Sequence, residues 1–348
     1  MQFRVDGIDP YIAKKLVGFA VLALYALAGY LIASRMPYER IVQVLLVSAA
    51  VGTIVGYIRL FLLPFDIGYA SLPYGYRLLG MTHNPNLFGL QQAAVFLICI
   101  DQLKQRDESV IWAARPSQSE WIQGVVLAGL WLSGSRTAII ALAVALACAF
   151  VLRRFSVAGI VRLFALSAVI ALVATALFSG YRAAMENAIR SIPILSSFVS
   201  SLGNAGILIA AEPQGVGHRA YIHERAIDLF LEQPWLGTGL GQFYLGFRAS
   251  GDPRAGEIHN SYLWILTELG IVWMLIALWC IGSVLFRLLR SLPSRDLAAP
   301  LCVLVFYLVA AFGAEVAFQR PMYFFAGIFA AAASAALSDR SSSATLAS

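Results

Sequence analysis

Three polar residues lie directly in front of a long apolar run near the C-terminal end of the chain. Glu257, His259 and Asn260 precede the stretch 261–286, which is long enough to cross a bilayer. An imidazole titrates near neutral pH, so His259 is a candidate for proton transfer. The structural alternative is an interfacial histidine followed by Asn260 or Ser261 as the N-cap of the next helix.

A second group of candidates lies in the preceding segment, GHRAYIHERAIDLFLEQPWLGTGLGQF, at 217–243. Arg219 and His223 are one turn apart in an amphipathic pattern that also contains Arg225, and the first two therefore share a helix face. Pro234 predicts the end of that helix. A nucleotide-binding GTGLGQ would need a preceding strand, so these glycines predict a tight turn where two backbones approach each other.

Two further candidates lie in loops that border apolar runs. Arg136 follows Ser-Gly-Ser in LSGSRTA, and Arg77 opens RLLGMTHNPNLFG, in which Asn84 and Asn86 favour a cap or a turn. An arginine at a membrane boundary often extends to the lipid headgroups, but this loop could also place Arg136 above a cavity.

The histidines do not form a recognisable metal-binding pattern. His218 and His223 are five residues apart, so they point in different directions on a helix, and no HExxH motif or acidic cluster accompanies them. We therefore expect neither a metal ion nor a cofactor. All four cysteines lie within apolar runs, which is typical of small buried hydrophobic residues.

Hydrophobic residues make up 60% of the chain and charged residues only 13%, too few to cover a water-soluble protein of 348 residues. Several apolar runs reach the length of a membrane helix. The predicted fold class is all-α, a polytopic transmembrane helical bundle of about nine membrane helices with one large periplasmic loop containing short helices. The predicted segments are 14–33, 41–63, 86–103, 121–133, 136–152, 160–179, 261–286, 297–317 and 322–338.

The chain divides by composition into N-terminal transmembrane helices at 1–179, a large periplasmic loop at 180–258, C-terminal transmembrane helices at 259–338 and a Ser/Ala-rich disordered tail at 339–348. Within the loop, 191–211 carries no charge but holds five serines, a proline and two glycines. We expect it to lie on the membrane surface or to re-enter the bilayer. A full span there would reverse the sidedness of everything before it.

Four short loops between the predicted segments carry basic residues, and the predicted segments place all four on one side. By the positive-inside rule that side is the cytoplasm, so the large loop and the polar candidates face the opposite side. The N-terminus falls on the outer side although it carries Lys14 and Lys15, which is an exception to the rule. The basic loop residues are Arg35, Arg40, Lys104, Arg106, Arg115, Arg153, Arg154, Arg162, Arg287, Arg290 and Arg295.

The order of these motifs resembles the O-antigen ligase and O-antigen polymerase superfamily. An Arg at the start of a loop helix is followed by Pro-x-x-Gly-x-Gly, then by His-Asn-Ser-x-Leu with a glycine seven residues further on. SGSRTA and NPN fit the same superfamily, and the resemblance covers most of 77–286. His223 stands where relatives often carry an aromatic, Asn260 stands where ligases often have serine, and many relatives have about a dozen helices. The motif residues are Arg219, Pro234, Gly237, Gly239, His259, Leu263 and Gly270.

The resemblance implies an integral-membrane glycosyltransferase of the bacterial inner (cytoplasmic) membrane that moves a glycan from an undecaprenyl-pyrophosphate carrier to an acceptor hydroxyl without a metal. In this expectation Arg136 and Arg219 stabilise the negative charge of the pyrophosphate. His259 accepts the proton of the attacking hydroxyl in an inverting displacement. Alternatively, His259 orients the acceptor and Glu257 is the base.

The resemblance also implies a set of substrate-binding residues and partners. The expected partners are an undecaprenyl-pyrophosphate-linked glycan, an acceptor glycan or lipid A core, membrane lipid and polysaccharide-assembly proteins, and no nucleic acid. The predicted substrate-binding residues are Glu257, Asn260, His223, Arg225 and Arg77.

Two other classes of protein stay open at this point. A membrane transporter of a small anion or a lipid-linked glycan could use Glu268 and Glu315 as intramembrane acids, facing a cavity or paired with an arginine such as Arg320. The sequence shows no internal repeat of the kind that transporters carry. A scaffold of an envelope assembly complex would tolerate replacement of the loop arginines and of His259.

Overall fold

A computed structural model of the chain describes residues 9–62, 77–82, 84–100, 117–152, 156–191, 216–252, 256–290, 298–331 and 334. In these ranges the secondary structure is helical and contains no strand. The expectations for 192–211 and for the tail at 339–348 lie outside them. The helices are α1 (Pro10–Ala33), α2 (Tyr38–Leu62), α3 (Pro85–Ile98), α4 (Gln118–Ser133), α5 (Arg136–Val151), α6 (Val157–Ser191), α7 (Val216–Glu232), α8 (Gln242–Ala249), α9 (Ser261–Arg290), α10 (Ala298–Ala310) and α11 (320–331), with a 3-10 helix at Val316–Phe318.

Four helices of the described part of the chain, α1, α2, α6 and α9, are long and apolar enough to cross a membrane. Helices α3, α5 and α10 are apolar but shorter. The prediction of an all-α membrane protein is therefore confirmed. The number of about nine spans and the periplasmic side of the loop stay predictions.

Helix α6 differs in extent from the segment expected at 160–179. It continues without interruption to Ser191, so the first part of the predicted loop is helical. A helix this long, about 50 Å at 1.5 Å per residue, exceeds the hydrocarbon thickness of a bilayer.

The predicted single segment at 297–317 is wrong in its extent, because α10 ends at Ala310 and the chain turns at 311–314. The buried hydroxyl of Ser261 stabilises the segment that follows. It accepts hydrogen bonds from Val316 N (2.7 Å) and Ala317 N (3.3 Å) and donates to Ala314 O (3.0 Å). Hydropathy averaged over a window does not register such a break, since most residues around it are apolar.

Packing groups the chain into two compact units, of which one is Val42–Pro213. In this unit α3 packs against α4 and α5, and α4 packs against α6. Trp131 Nε1 donates a hydrogen bond to Ser167 Oγ (3.0 Å), which connects α4 to α6. Buried residues on α3 form much of its interior: Phe88, Leu90, Ala93, Ala94, Phe96 and Leu97.

The other unit consists of Met1–Ile41 and Gln214–Ser348, so α1 belongs with the C-terminal helices. The division at 179 and 258 was drawn along the sequence and stays a prediction. In this unit α7 packs against α9, and Thr267 Oγ1 donates to Ala226 O (3.1 Å). The apolar cluster between α7, α8 and α9 consists of Ile222, Ala226, Phe243, Phe247, Ile258 and Trp264.

Helix α9 is interrupted at Gly270, whose φ of 81° and ψ of −179° lie outside the helical region. The turn after α7 fills this break, and Thr238 N donates to Thr267 O (2.8 Å). A Cβ at Gly270 would overlap the carbonyl oxygen of Trp235 and crowd Gly237 N. Only glycine fits such a conformation at such a distance. The predicted tight turn at a close backbone approach is confirmed.

Candidate functional site

A group of ionisable side chains surrounds His259 at the start of α9. The pKa of its imidazole is influenced by the charges of four neighbours, which are Arg219, Glu257, His223 and His218. Burial and then the Arg219 guanidinium lower the pKa of His259, while the Glu257 carboxylate partly opposes them. The imidazole is therefore neutral at pH 7 and able to accept a proton.

Helix α7 brings two of these residues to His259. Ile222 and Ala226 are buried against α8 and α9, which fixes the rotation of α7 about its axis. Arg219 and His223 are one turn apart on that helix, as the sequence pattern predicts. Burial and the Arg219 guanidinium also lower the pKa of His223, so α7 presents one permanent cation and one neutral imidazole.

Two nitrogen atoms of this cluster are buried without a hydrogen-bond partner among the described residues. They are Arg219 Nε, which is always a donor, and His223 Nε2. Buried polar groups are rarely left unsatisfied, and each such group costs about 1–3 kcal/mol. The arrangement suits a ligand that brings oxygen atoms to the cluster.

Asn260 has a structural task in the fold. Its Oδ1 accepts hydrogen bonds from Tyr262 N (3.0 Å) and Leu263 N (3.1 Å), so it is the N-cap of α9. This outcome matches the alternative given for Asn260 in the sequence. Its predicted contact with substrate is not tested by this geometry.

Glu257 lies beside groups that the motifs do not contain. Its carboxylate is adjacent to that of Glu315 and accepts a hydrogen bond from Tyr11 Oη on α1 (3.5 Å). Burial and then the Glu257 charge raise the pKa of Glu315 to about 8, so Glu315 is mostly protonated at pH 7. Tyr11 and Glu315 were missed as partners of Glu257 because they are remote in sequence and belong to no motif.

Glu268 pairs with a lysine and not with an arginine such as Arg320. Lys15 Nζ lies 3.5 Å from Glu268 Oε2, and Gly241 N donates to the same oxygen (2.7 Å). The ammonium group also lies 5.2 Å from the ring centroids of Tyr11, Trp264 and Phe318. Lys15 is thus largely buried in an ion pair and is not a free loop charge of the kind that the positive-inside rule counts.

Arg225 lies on a different face of α7 from His223, because two residues correspond to about 200° of rotation. It is exposed and is not among the groups that act on His259. It borders a separate cavity of about 200 Å³ between α7 and α8, which is also lined by Gln242, Phe243 and Phe247. The structure does not bring Arg225 to the His259 cluster.

The motifs of the other unit meet at Arg77. Its Nε donates to Ser133 O (2.7 Å) and its Nη2 donates to Asn86 Oδ1 (2.6 Å), so it joins the NPN segment to the Ser-Gly-Ser loop. Asn84 caps α3 by accepting from Asn86 N (2.8 Å). These bonds hold the Ser-Gly-Ser loop against the NPN segment.

Arg136 is the first residue of α5 and follows that loop directly. Ser135 caps the helix, with Oγ accepting from Ala138 N (3.3 Å), and Gly134 takes the left-handed conformation at φ 60°. The Arg136 side chain is exposed. The predicted loop between two helices is confirmed, and the role of Arg136 stays a prediction.

Fold and composition define a helical membrane protein in which one group of ionisable residues lies near the start of α9. A family model described as O-antigen ligase matches residues 124–278, which include Arg136, the α7–α8 region and the His259 cluster. The superfamily resemblance predicted from the motifs is thereby confirmed, and it indicates a membrane glycan ligase or polymerase. A search of the curated proteins gave no match.

Proposed function

We propose that the protein is an integral-membrane glycosyltransferase of the inner membrane that transfers a glycan from undecaprenyl pyrophosphate to an acceptor hydroxyl on the periplasmic side. The observation that carries this proposal is the convergence of His259, Arg219, His223 and Glu257 within the matched region. An anionic lipid-linked donor requires cationic groups, and an attacking hydroxyl requires a base. The cluster supplies both.

In the proposed step the acceptor oxygen attacks the anomeric carbon of the donor sugar. A carbon–oxygen bond forms there while the bond to the pyrophosphate breaks, and the lipid pyrophosphate leaves with the electron pair. His259 takes the proton of the acceptor hydroxyl. A single displacement of this kind inverts the configuration of the sugar. Glu257 is the alternative base, with His259 then orienting the acceptor.

Arg219 stabilises the charge that grows on the leaving pyrophosphate. Its buried Nε lacks a protein partner, and a guanidinium donates in a fork that matches phosphate oxygens. Arg136 is the second candidate, since it is exposed at the start of α5 directly after a capped loop. With two guanidinium groups the chemistry needs no metal ion in this proposal.

The proposal is tested by reconstituting the purified protein with a radiolabelled undecaprenyl-pyrophosphate glycan and an acceptor. His259→Ala should lower the transfer rate by at least about 100-fold, since general bases contribute 10²–10⁴. Glu224→Gln is the matched control, because Glu224 is exposed on α7 and belongs to no proposed contact. The melting temperature of both variants should match that of the wild type.

Wild-type transfer in His259→Ala would remove the imidazole from the mechanism. Solute flux through vesicles without any glycan transfer would instead identify a transporter. The acceptor is identified by the glycans of a deletion strain on a gel. Single-repeat caps on the surface glycan indicate a lost polymerase, and polymer that accumulates off the lipid A core indicates a lost ligase.

A further inference from the structure

The surface of α9 changes character at Gly270. In the fully described stretch 261–270 no large apolar side chain is exposed. Beyond it, large apolar side chains are exposed on α9 as far as Phe286. They are Val272, Trp273, Leu275, Ile276, Leu278, Trp279, Val284 and Phe286. The exposed apolar surface of α9, which suits contact with lipid, therefore begins just after the break in the helix.

The length of α9 agrees with a division of its surface at Gly270. Helix α9 is about 45 Å long at 1.5 Å per residue, more than the hydrocarbon core of about 30 Å requires. The part from Gly270 to Arg290 alone is about 30 Å long. Nine residues at the start of α9 are thus not needed to cross the hydrocarbon.

Helix α1 independently indicates the same position for the boundary of the hydrocarbon core. Lys15 is paired with Glu268, only two residues before Gly270, and exposed large apolar residues on α1 begin at Leu16. The part from Leu16 to Ala33 is about 27 Å long, close to one bilayer core. Two helices of the same unit therefore place the hydrocarbon boundary just beyond the Lys15–Glu268 pair.

The turn between α7 and α8 lies at this level. Val272 N donates to Trp235 O (3.3 Å), which places Trp235 next to the first exposed apolar residue of α9. The side chains of Trp235 and Leu236 are each 70% exposed, and Leu231 precedes them at 67%. This exposed apolar group continues the lipid-facing surface of α9.

Helix α7 has the composition of an interfacial helix above that group. Ile227 and Leu231 form an exposed apolar stripe, and the acidic residues Glu224, Asp228 and Glu232 are exposed beside it. Such adjacent stripes suit a helix that meets lipid on one side and water on the other. Tryptophan is also the residue type that collects at membrane interfaces.

We propose that Trp235 and Leu236 insert into the boundary between headgroups and acyl chains, on the same side of the membrane as His259. The α7–α8 turn is then a lipid anchor, and Gly270 marks the depth to which it reaches. The occupant of this surface is bilayer lipid. His259 lies above the hydrocarbon, in reach of water and of the headgroup layer.

The test uses the full chain in lipid nanodiscs with the four native cysteines replaced by alanine. The environment-sensitive dye NBD is attached at Leu236→Cys, at Glu224→Cys as the water-facing control, and at Leu278→Cys as the lipid-facing control. Quenching by aqueous iodide is compared with quenching by lipid that carries a doxyl group at acyl carbon 5. Gel filtration checks that each variant is folded, and Leu231→Cys replaces Leu236→Cys if that variant is not.

We expect the dye at position 236 to be quenched at least about twofold more by doxyl lipid than the dye at position 224, and correspondingly less by iodide. Iodide quenching equal to that at position 224 would overturn the anchor. Shielding from both quenchers would also overturn it, because protein and not lipid would then cover the turn. The readout involves no glycan transfer, so it is independent of the proposed enzyme activity.

Discussion

The two compact units use their motif arginines in different ways. Arg77, in the first, donates to Ser133 O and Asn86 Oδ1, and these bonds hold two loops of the fold together. Arg219, in the second, has a buried Nε with no hydrogen-bond partner among the described residues and lies in the group that acts on His259. Residues of one type, both within the region that resembles the superfamily, thus join two loops in one unit and leave a buried donor without a described partner in the other.

This contrast separates stability from activity. A guanidinium that is satisfied by the protein should contribute mainly to the folded state, since its removal leaves protein acceptors without a donor. One that is unsatisfied should contribute mainly to binding and catalysis, since its partner arrives with the substrate. Substitutions in the two units should therefore have different signatures.

Arg219→Gln should give the largest effect on activity. Loss of a donor to the developing charge typically lowers a rate by about 10²–10³. The melting temperature should remain near that of the wild type, because Nε donates no hydrogen bond to a described residue that the substitution could remove. Glycan transfer and thermal melting in detergent measure the two quantities, with the exposed Arg248→Gln on α8 as control. A strongly lowered melting temperature would assign Arg219 to the fold instead.

Arg77→Ala should show the opposite signature. Losing charged hydrogen bonds to Ser133 O and Asn86 Oδ1 should lower the free energy of unfolding by about 1.5–3 kcal/mol. Thermal melting is the measurement, and Asn86→Ala should give a smaller decrease because it removes one of these bonds. Unchanged melting with abolished transfer would place Arg77 among the substrate-binding residues, as the sequence alone predicts.

Asn260 allows the same distinction within the His259 region. Asn260→Ala should lower stability by about 1 kcal/mol, because the N-cap of α9 is lost. Asn260→Ser should restore stability, since serine caps nearly as well. If Asn260→Ser melts like the wild type but transfers no glycan, the amide contacts substrate in addition to capping the helix.

The pH dependence should show the smallest effect. Burial and the Arg219 charge lower the pKa of His259 below its ordinary value of 6.5. The imidazole therefore stays neutral at pH 6.5. Activity should therefore persist below pH 6.5 and decline only as the imidazole becomes protonated at still lower pH. In Arg219→Gln the residual activity should decline at a higher pH than in the wild type, because one cause of the lowered pKa is gone. The pH profile of kcat/KM checks both expectations, and an unchanged profile in that variant would contradict them.

Much of the local structure could be predicted from residue types. Asn84 and the Ser-Gly-Ser loop indicated helix boundaries, and Pro234 with the following glycines indicated the tight turn. These features depend on a few neighbouring residues with strong backbone preferences. The break after Ala310 and the extension of α6 to Ser191 could not be predicted, because hydropathy is averaged over many residues and the first depends on a hydroxyl fifty residues away.

The sequence by itself determined that the protein is a helical membrane protein, that it resembles a glycan ligase or polymerase, and that His259 and Arg219 are candidates for its chemistry. Only the tertiary structure decided that Lys15 pairs with Glu268, that Glu315 lies beside Glu257, and that Arg77 joins two loops. The physical reason is that composition, periodicity and capping act over a few turns of chain. Ion pairs, neighbouring carboxyl groups and backbone contacts at a helix break depend instead on distances between residues that only folding brings together.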